Sequence, residues 1–372
     1  MPKLTTSKCN LDLDCYPKVD ANIQQPWDAA DLYLIEEATL GKHPAILNDQ
    51  WGALTCYTHS TGLTSYSWSD SFCSQLATQR NLNKLSPVDD EQPNLANGLP
   101  CLPTETDSIW IQCPKSFDQL HWWLTLALEQ VGPGIPVFIA GMSKHIPIKW
   151  LNWLETHNDD YKQYPIKKKA RLMRFNLGKK LPPCNAVKGY IGPDKSQISA
   201  LPGVFSRDHM DIGSRFFIHH LDQLPPLTGN ILDLGCGNGL LSIAMLANTN
   251  PEQVNLSLCD DSALALMAAK ENLKERSINN TTLYHTDALL GIEGPMNTIL
   301  CNPPFHSGNR VSTAAAERMF KQAAKILTRE GQLLVIANRH LGYAPALKKS
   351  FAKVKLLASD AKFVIYRCQL AK

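Results

Sequence analysis

In the second half of the chain, short apolar runs take turns with amphipathic stretches. Ile231–Leu234, Val254–Cys259, Thr282–His285, Thr298–Cys301 and Gln332–Ala337 are apolar and a strand long. Between them, Leu240–Ala247, Ala263–Glu275 and Ala314–Leu327 carry apolar residues at helical spacing. Strands buried on both faces and joined by helices predict a mostly parallel sheet covered on both sides. Val354–Leu357 and Lys362–Leu370 lie too close together for a crossover helix, so they predict an antiparallel hairpin at the sheet edge.

The first half repeats this order in weaker form. Ile46–Leu54 parallels the glycine-rich region that follows Leu232, and Asp70–Leu82 aligns without gaps to Asp261–Leu273. Trp110–Lys115 sits where the second half has Ile299–Pro304, so Cys113 falls on Asn302. Ile139-Ala140 with Lys144-His145 matches Ile336-Ala337 with Arg339-His340. A duplicated α/β fold follows, its first copy degenerate: Gly52 alone stands for three glycines, Ser69 for Asp260, and Cys113-Pro114-Lys115 for Asn-Pro-Pro. That copy is expected to keep the architecture and to have lost cofactor binding. Leu181-Pro182-Pro183 and Gly192-Pro193 break regular structure, which places the boundary in Lys179–Ser199 and gives domains 1–192 and 193–372.

Composition narrows the classes. A chain of 372 residues suits two domains, and 44% hydrophobic with 19% charged residues is that of a soluble globular protein. A net charge of +3 is too small to establish a nucleic-acid partner, so any such reading rests on local clusters. The eleven cysteines include no CxxC pair and no zinc spacing, which fits reduced thiols and no metal site. Met1–Thr5 lacks an apolar leader core, and no run approaches the roughly 18 apolar residues of a membrane span. A cytoplasmic protein without a membrane partner is expected.

The chemistry concentrates in two segments. Asp233-Leu234-Gly235-Cys236-Gly237-Asn238-Gly239 lies between a strand and a helix, where missing side chains let backbone N–H groups approach a nucleoside cofactor. Its glycines are spaced GxGxG after an acid, unlike the GxGxxG of a dinucleotide site. Asp233 is placed to meet the ammonium group of S-adenosylmethionine, Asp260 the ribose hydroxyls, and Asp287 with Ala288 the adenine edge. Asp261-Ser262 are read as helix-capping residues. Pro202–Arg215 reads as a flap over the methionine end, with Phe205, Asp211 and Gly213 as contacts; interdomain packing is the competing reading.

The second segment is Asn302-Pro303-Pro304-Phe305. An exocyclic amine is a poor nucleophile because its lone pair is delocalised into the ring. The Asn302 side-chain oxygen and the Pro303 carbonyl can hold its hydrogens and turn the lone pair toward a methyl group. Pro303 and Pro304 fix the turn, and Phe305 stacks on the planar target. No general base is needed, because the proton leaves readily once nitrogen is cationic, so His306 and His340 are given no role.

For a partner, Lys167, Lys168, Lys169 and Arg171, with Arg174 and Lys179-Lys180 nearby, form the densest basic cluster. Such a run pairs with phosphates or serves as a solvated strand face. Arg318, Lys321 and Lys325, with Arg329 beyond, recur at helical spacing and read as an exposed face.

These residues resemble the bacterial ribosomal RNA guanine-N2 methyltransferases, a family whose members acting on the large and on the small ribosomal subunit are closely related. Gly203-Val204-Phe205-Ser206, Asp211-Ile212-Gly213, Asp233–Gly239, Cys301–His306 and Ala337–Leu341 look like the family's catalytic-half motifs. Trp27–Asp31, Ile46–Asp49 with Gly52–Leu54, and Lys168–Leu172 look most like the large-subunit type, whereas Leu201–Gly213 looks equally like the small-subunit type. The resemblance implies two tandem class I methyltransferase-like domains, the second with a seven-stranded, mostly parallel sheet. It further implies methylation by S-adenosylmethionine of the 2-amino group of one guanosine in large-subunit (23S) ribosomal RNA, the first domain helping to bind RNA. The alternatives are the same reaction on 16S ribosomal RNA, adenine-N6 methylation, protein-glutamine N5 methylation, and a non-enzymatic RNA-binding protein.

Overall fold

The computed structural model describes residues 3–18, 24–85, 93–224, 227–247, 249, 253–278, 280–304, 306–307, 310–311 and 314–371. The chain divides into two compact units, Met1–Ala186 and Val187–Lys372.

In the first unit the sheet strands are β1 (Pro44–Leu47), β2 (Tyr66–Trp68), β3 (Asn94–Ala96), β4 (Ser108–Gln112), β5 (Pro136–Met142), β6 (Asp159–Gln163) and β7 (Ala170–Asn176). The helices are α1 (Ala29–Glu37), α2 (Ala53–Ser60), α3 (Phe72–Leu82), α4 (Phe117–Val131) and α5 (Ile148–His157). The strand order is β3-β2-β1-β4-β5-β7-β6, with β7 antiparallel to both neighbours.

The second unit repeats this plan. Its strands are β8 (Gly229–Leu234), β9 (Val254–Asp260), β10 (Thr281–His285), β11 (Met296–Cys301), β12 (Leu327–Asn338), β13 (Lys353–Ser359) and β14 (Phe363–Gln369). Its helices are α6 (Ile212–His219), α7 (Leu240–Leu246), α8 (Ala263–Lys274), α9 (Ala314–Ile326) and α10 (Ala344–Lys348). The order β10-β9-β8-β11-β12-β14-β13 is that of the first sheet, and the expected edge hairpin is β13 with β14. Alternate residues of the central strands feed two apolar layers. Leu232, Leu234, Ile299 and Val335 pack with Phe320 of α9, whereas Ile231, Leu258, Leu300 and Ile336 pack with Leu241 of α7 and Leu266 of α8.

The duplication extends to single hydrogen bonds. Gly239, with φ 82°, caps α7, and a Cβ there would lie 3.1 Å from the Ala269 Cβ of α8. Gly52, with φ 81°, caps α2, and a Cβ there would lie 2.7 Å from the Thr78 Cα of α3. Asn272 Nδ2 donates to the carbonyls of Asn238 (2.9 Å) and Ser199 (2.9 Å), and its Oδ1 accepts from Ser199 N (2.9 Å). Asn81 does the same with Trp51 (2.8 Å) and with Asp14 (3.0 and 2.9 Å). Ser262 caps α8 through Ala265 N, and Ser71 caps α3 through Ser74 N; Asp261, read as a capping residue, is not the N-cap.

Sheet register corrects one alignment. Leu47 pairs with Ile111, and Leu234 with Cys301, so Gln112 rather than Cys113 occupies the place of Asn302. The shared Cys and Pro letters drew the sequence match one residue off, but the backbone ladder decides which residue leaves the strand first. The antiparallel ribbon Lys188–Ile191 with Gln197–Ala200 belongs to the second unit, so the division lies ahead of it rather than after Gly192.

Candidate active site

At the carboxyl ends of the second unit's parallel strands lies a cavity of about 420 Å³. This is where open α/β sheets bind ligands. The lining brings together Phe205, Asp211, Gly235, Gly237, Asp260, Asp287, Ala288, Asn302, Pro303 and Pro304, all singled out in the sequence. Phe305 lies outside the described residues.

Three of the expected contacts are not part of that lining. Gly239 serves helix packing, as above. Gly213 lets α6 approach β14, since an added Cβ would meet the Phe363 ring at 3.1 Å. Asp233 is fully buried behind the glycine loop, where its Oδ2 accepts from Ser242 Oγ at 2.6 Å. Its Oδ1 has no hydrogen-bond partner among the described residues. Burial pushes this acid up to about 6, against the Ser242 hydrogen bonds and with added repulsion from Asp260. A buried carboxylate with a spare oxygen suits a cationic group brought in from the cavity side.

The remaining acids are each held in place. Asp260, the last residue of β9, accepts from Gly237 N through Oδ2 (2.9 Å) and from Ser262 N through Oδ1 (2.9 Å), so one carboxylate ties the glycine loop to the start of α8. Asp287 accepts from Arg318 Nη2 at 2.6 Å. Arg318 therefore belongs to the cavity wall, whereas Lys321 and Lys325 are exposed, as their spacing suggested. Asp211 caps α6, its Oδ2 accepting from Ser214 N (2.9 Å), Ser214 Oγ (3.2 Å) and Asn302 Nδ2 (3.3 Å). Asn302 Oδ1 is buried and has no hydrogen-bond partner among the described residues. Phe205 lines the cavity yet is 60% exposed, an apolar ring at its rim.

Tyr190 was not singled out in the sequence. It lies on the ribbon assigned there to the first domain, yet it lines the cavity and its hydroxyl accepts from Asn238 Nδ2 at 3.1 Å. The register pairing of its ribbon with Gln197–Ala200 is the signal that would have moved it.

The corresponding loop of the first unit is filled from within. Asp49 stands where the second unit has Cys236, and accepts from Gly52 N (3.0 Å), Thr55 N (2.8 Å) and Thr55 Oγ1 (2.8 Å). One carboxylate thus ties that loop to the first turn of α2. Of the basic cluster, Lys167 is paired with Glu37 and lies 5.1 Å from the Tyr33 ring centre. Lys168 and Lys169, with φ 47° and 66°, form the exposed turn closed by the Lys167–Ala170 bridge. Arg171 follows, half-buried, on β7. Among the described residues no helix is long and apolar enough to cross a membrane.

A sheet of this order, with a glycine loop after its first strand and an Asn-Pro-Pro turn after its fourth, defines a class I methyltransferase. Residues 195–367 match the methyltransferase small domain, and residues 1–179 the RLMG N-terminal domain. The chain is 34% identical to ribosomal RNA large subunit methyltransferase G of Alcanivorax borkumensis, covering 96% of this chain and 95% of that one. For the protein of the same name from Vibrio vulnificus the values are 35%, 95% and 96%. The chain belongs to the ribosomal RNA large subunit methyltransferase G family. In structure it is similar to the T. thermophilus 16S rRNA N2 methyltransferase RsmC, solved with AdoMet and guanosine, at a TM-score of 0.81 and 18% identity, covering 100% of this chain and 98% of that one. That likeness extends the shared fold over both units.

Proposed function

We propose that this enzyme transfers the methyl group of S-adenosylmethionine to the 2-amino group of a guanosine in large-subunit ribosomal RNA. The observation that carries the reading is the Asn302 carboxamide: its Oδ1 is buried, without a partner among the described residues, in the same cavity wall as the glycine loop. A buried acceptor left unpaired costs about 1–3 kcal/mol, which an amine hydrogen of the substrate would recover.

When bound, S-adenosylmethionine supplies an electrophilic methyl group on its sulfonium. The residues fit it: Asp260 lies at the β9 end for ribose hydroxyls and Asp287 beside Ala288 for an adenine amine, while Asp233, buried outside the lining, adds negative charge near the glycine loop for an ammonium group. Asn302 Oδ1 and the Pro303 carbonyl accept the two amine hydrogens and set the lone pair in line with the methyl group. Pro303 and Pro304 keep that carbonyl fixed, and Leu234, Leu241 and Met319 give the cavity apolar walls. The amine proton passes to solvent after transfer, so no residue need hold it.

The large subunit is favoured by the names of the relatives at 34–35% identity. The first unit contributes RNA affinity rather than donor binding; Lys168, Lys169 and Arg171 are the contacts, and Lys167 adds less because Glu37 already neutralises it. Mapping N2-methylguanosine in ribosomal RNA from cells with and without the protein tests this: one large-subunit position loses its methyl group. A loss in small-subunit RNA, or at a protein glutamine instead, would overturn the assignment.

A further inference from the structure

The methyl-accepting site depends on which way the Asn302 amide faces. Its oxygen and nitrogen are nearly equal in size, and a rotation of half a turn about the last side-chain bond would present hydrogens to the substrate amine instead of an acceptor. One contact selects the orientation: Nδ2 donates to Asp211 Oδ2 at 3.3 Å, and Asp211 has only acceptors to offer when ionised. Asp211 is itself fixed as the N-cap of α6 by Ser214 N and Ser214 Oγ. The first unit holds the same couple. Gln112, at the place of Asn302, donates Nε2 to Asp31 Oδ1 at 2.9 Å, and Asp31 belongs to the capping box that opens α1. In each copy, then, a carboxylate at the start of the helix packed on β5 or β12 restrains the carboxamide that leaves the neighbouring strand.

We infer that Asp211 is a positioning residue, which locks the Asn302 amide with Oδ1 turned to the substrate amine, in addition to facing the cavity. This rests on the role proposed for Asn302. The test uses the full chain and ribosomal RNA lacking the modification, with single-turnover methyl transfer at saturating S-adenosylmethionine and donor affinity by calorimetry. Asp211→Ser keeps a helix-capping side chain but is too short to reach Nδ2, and Asp211→Asn retains an acceptor oxygen.

Asp211→Ser is expected to slow transfer on the order of 100-fold, the cost of a misplaced reacting group. Asp211→Asn should restore most of the rate. Combining Asp211→Ser with Asn302→Ala should be no slower than Asn302→Ala alone, because both remove the same acceptor. Multiplying losses in the double variant would overturn the inference. So would a loss in Asp211→Ser that vanishes at saturating donor, since that marks a donor contact only. Full activity in Asn302→Ala would instead sink the reading of Asn302 itself, and a folding failure in Asp211→Ser leaves the Asp211→Asn and Asn302→Ala comparison to decide.

Discussion

Replacing Asp233 with asparagine separates the stability of the second unit from its donor affinity. Raising this fully buried acid from 3.8 to about 6 costs its ionised form about 3 kcal/mol relative to the unfolded chain. The sign follows from linkage. The folded state holds the proton more tightly than the unfolded state, so this contribution to stability is fully present below about pH 4 and is lost as pH rises through about 6. Asparagine removes the titration while keeping an oxygen for Ser242, and puts an amide nitrogen where Oδ1 has no partner among the described residues, a pH-independent cost of about 1–3 kcal/mol. The pH slope is therefore the readout. Stability of Asp233→Asn minus that of the native chain should grow by about 3 kcal/mol between about pH 4 and pH 7. All eight tryptophans lie at or before Trp153, so tryptophan fluorescence reports on the first unit alone. Pulse proteolysis in urea, with the second unit followed by mass, measures the right transition. A difference that stays flat across that range would refute the argument that Asp233 carries an uncompensated buried charge. Calorimetry on the same variant should show weaker donor binding at neutral pH, because the variant no longer supplies a negative charge beside the glycine loop.

Other expectations follow from particular contacts. Arg318→Ala removes the guanidinium that holds the Asp287 carboxylate, and calorimetry should show donor affinity falling by about tenfold, about 1.4 kcal/mol, the worth of a charge-assisted hydrogen bond. Lys168→Ala with Lys169→Ala should weaken RNA binding and make its logarithmic salt dependence shallower by about 1–2 units, read by filter binding across a salt series. Gly239→Ala forces a side chain onto a φ of 82° and against Ala269. It should cost about 1–3 kcal/mol in the second unit by the same proteolysis assay.

The duplication was legible because the central strands are apolar runs and because α3 and α8 start at matching serines, Ser71 and Ser262, each capping its helix. Asn302 to Pro304 and the glycine loop were legible because a turn that must bare backbone groups needs those residue types consecutively. Arg318 was not. Its helical spacing matches Lys321 and Lys325, and only the seating of α9 turns it toward Asp287 while they face solvent. Nor was the partner of Lys167, since Glu37 lies 130 residues away in the chain. Gln112 was misplaced by one residue because letter similarity around Cys113 competed with a pairing register that only the folded sheet displays. Gly239 and Gly213 lie against Ala269 and Phe363 rather than in the cavity lining, a tertiary packing that local sequence does not display.

The most direct measurement is nucleoside analysis of unmodified large-subunit ribosomal RNA incubated with the purified chain and methyl-labelled S-adenosylmethionine. Label should appear in N2-methylguanosine with the native chain and fall to near background with Asn302→Ala, while that variant still binds the donor. Label in adenosine, or undiminished transfer by Asn302→Ala, would contradict the account.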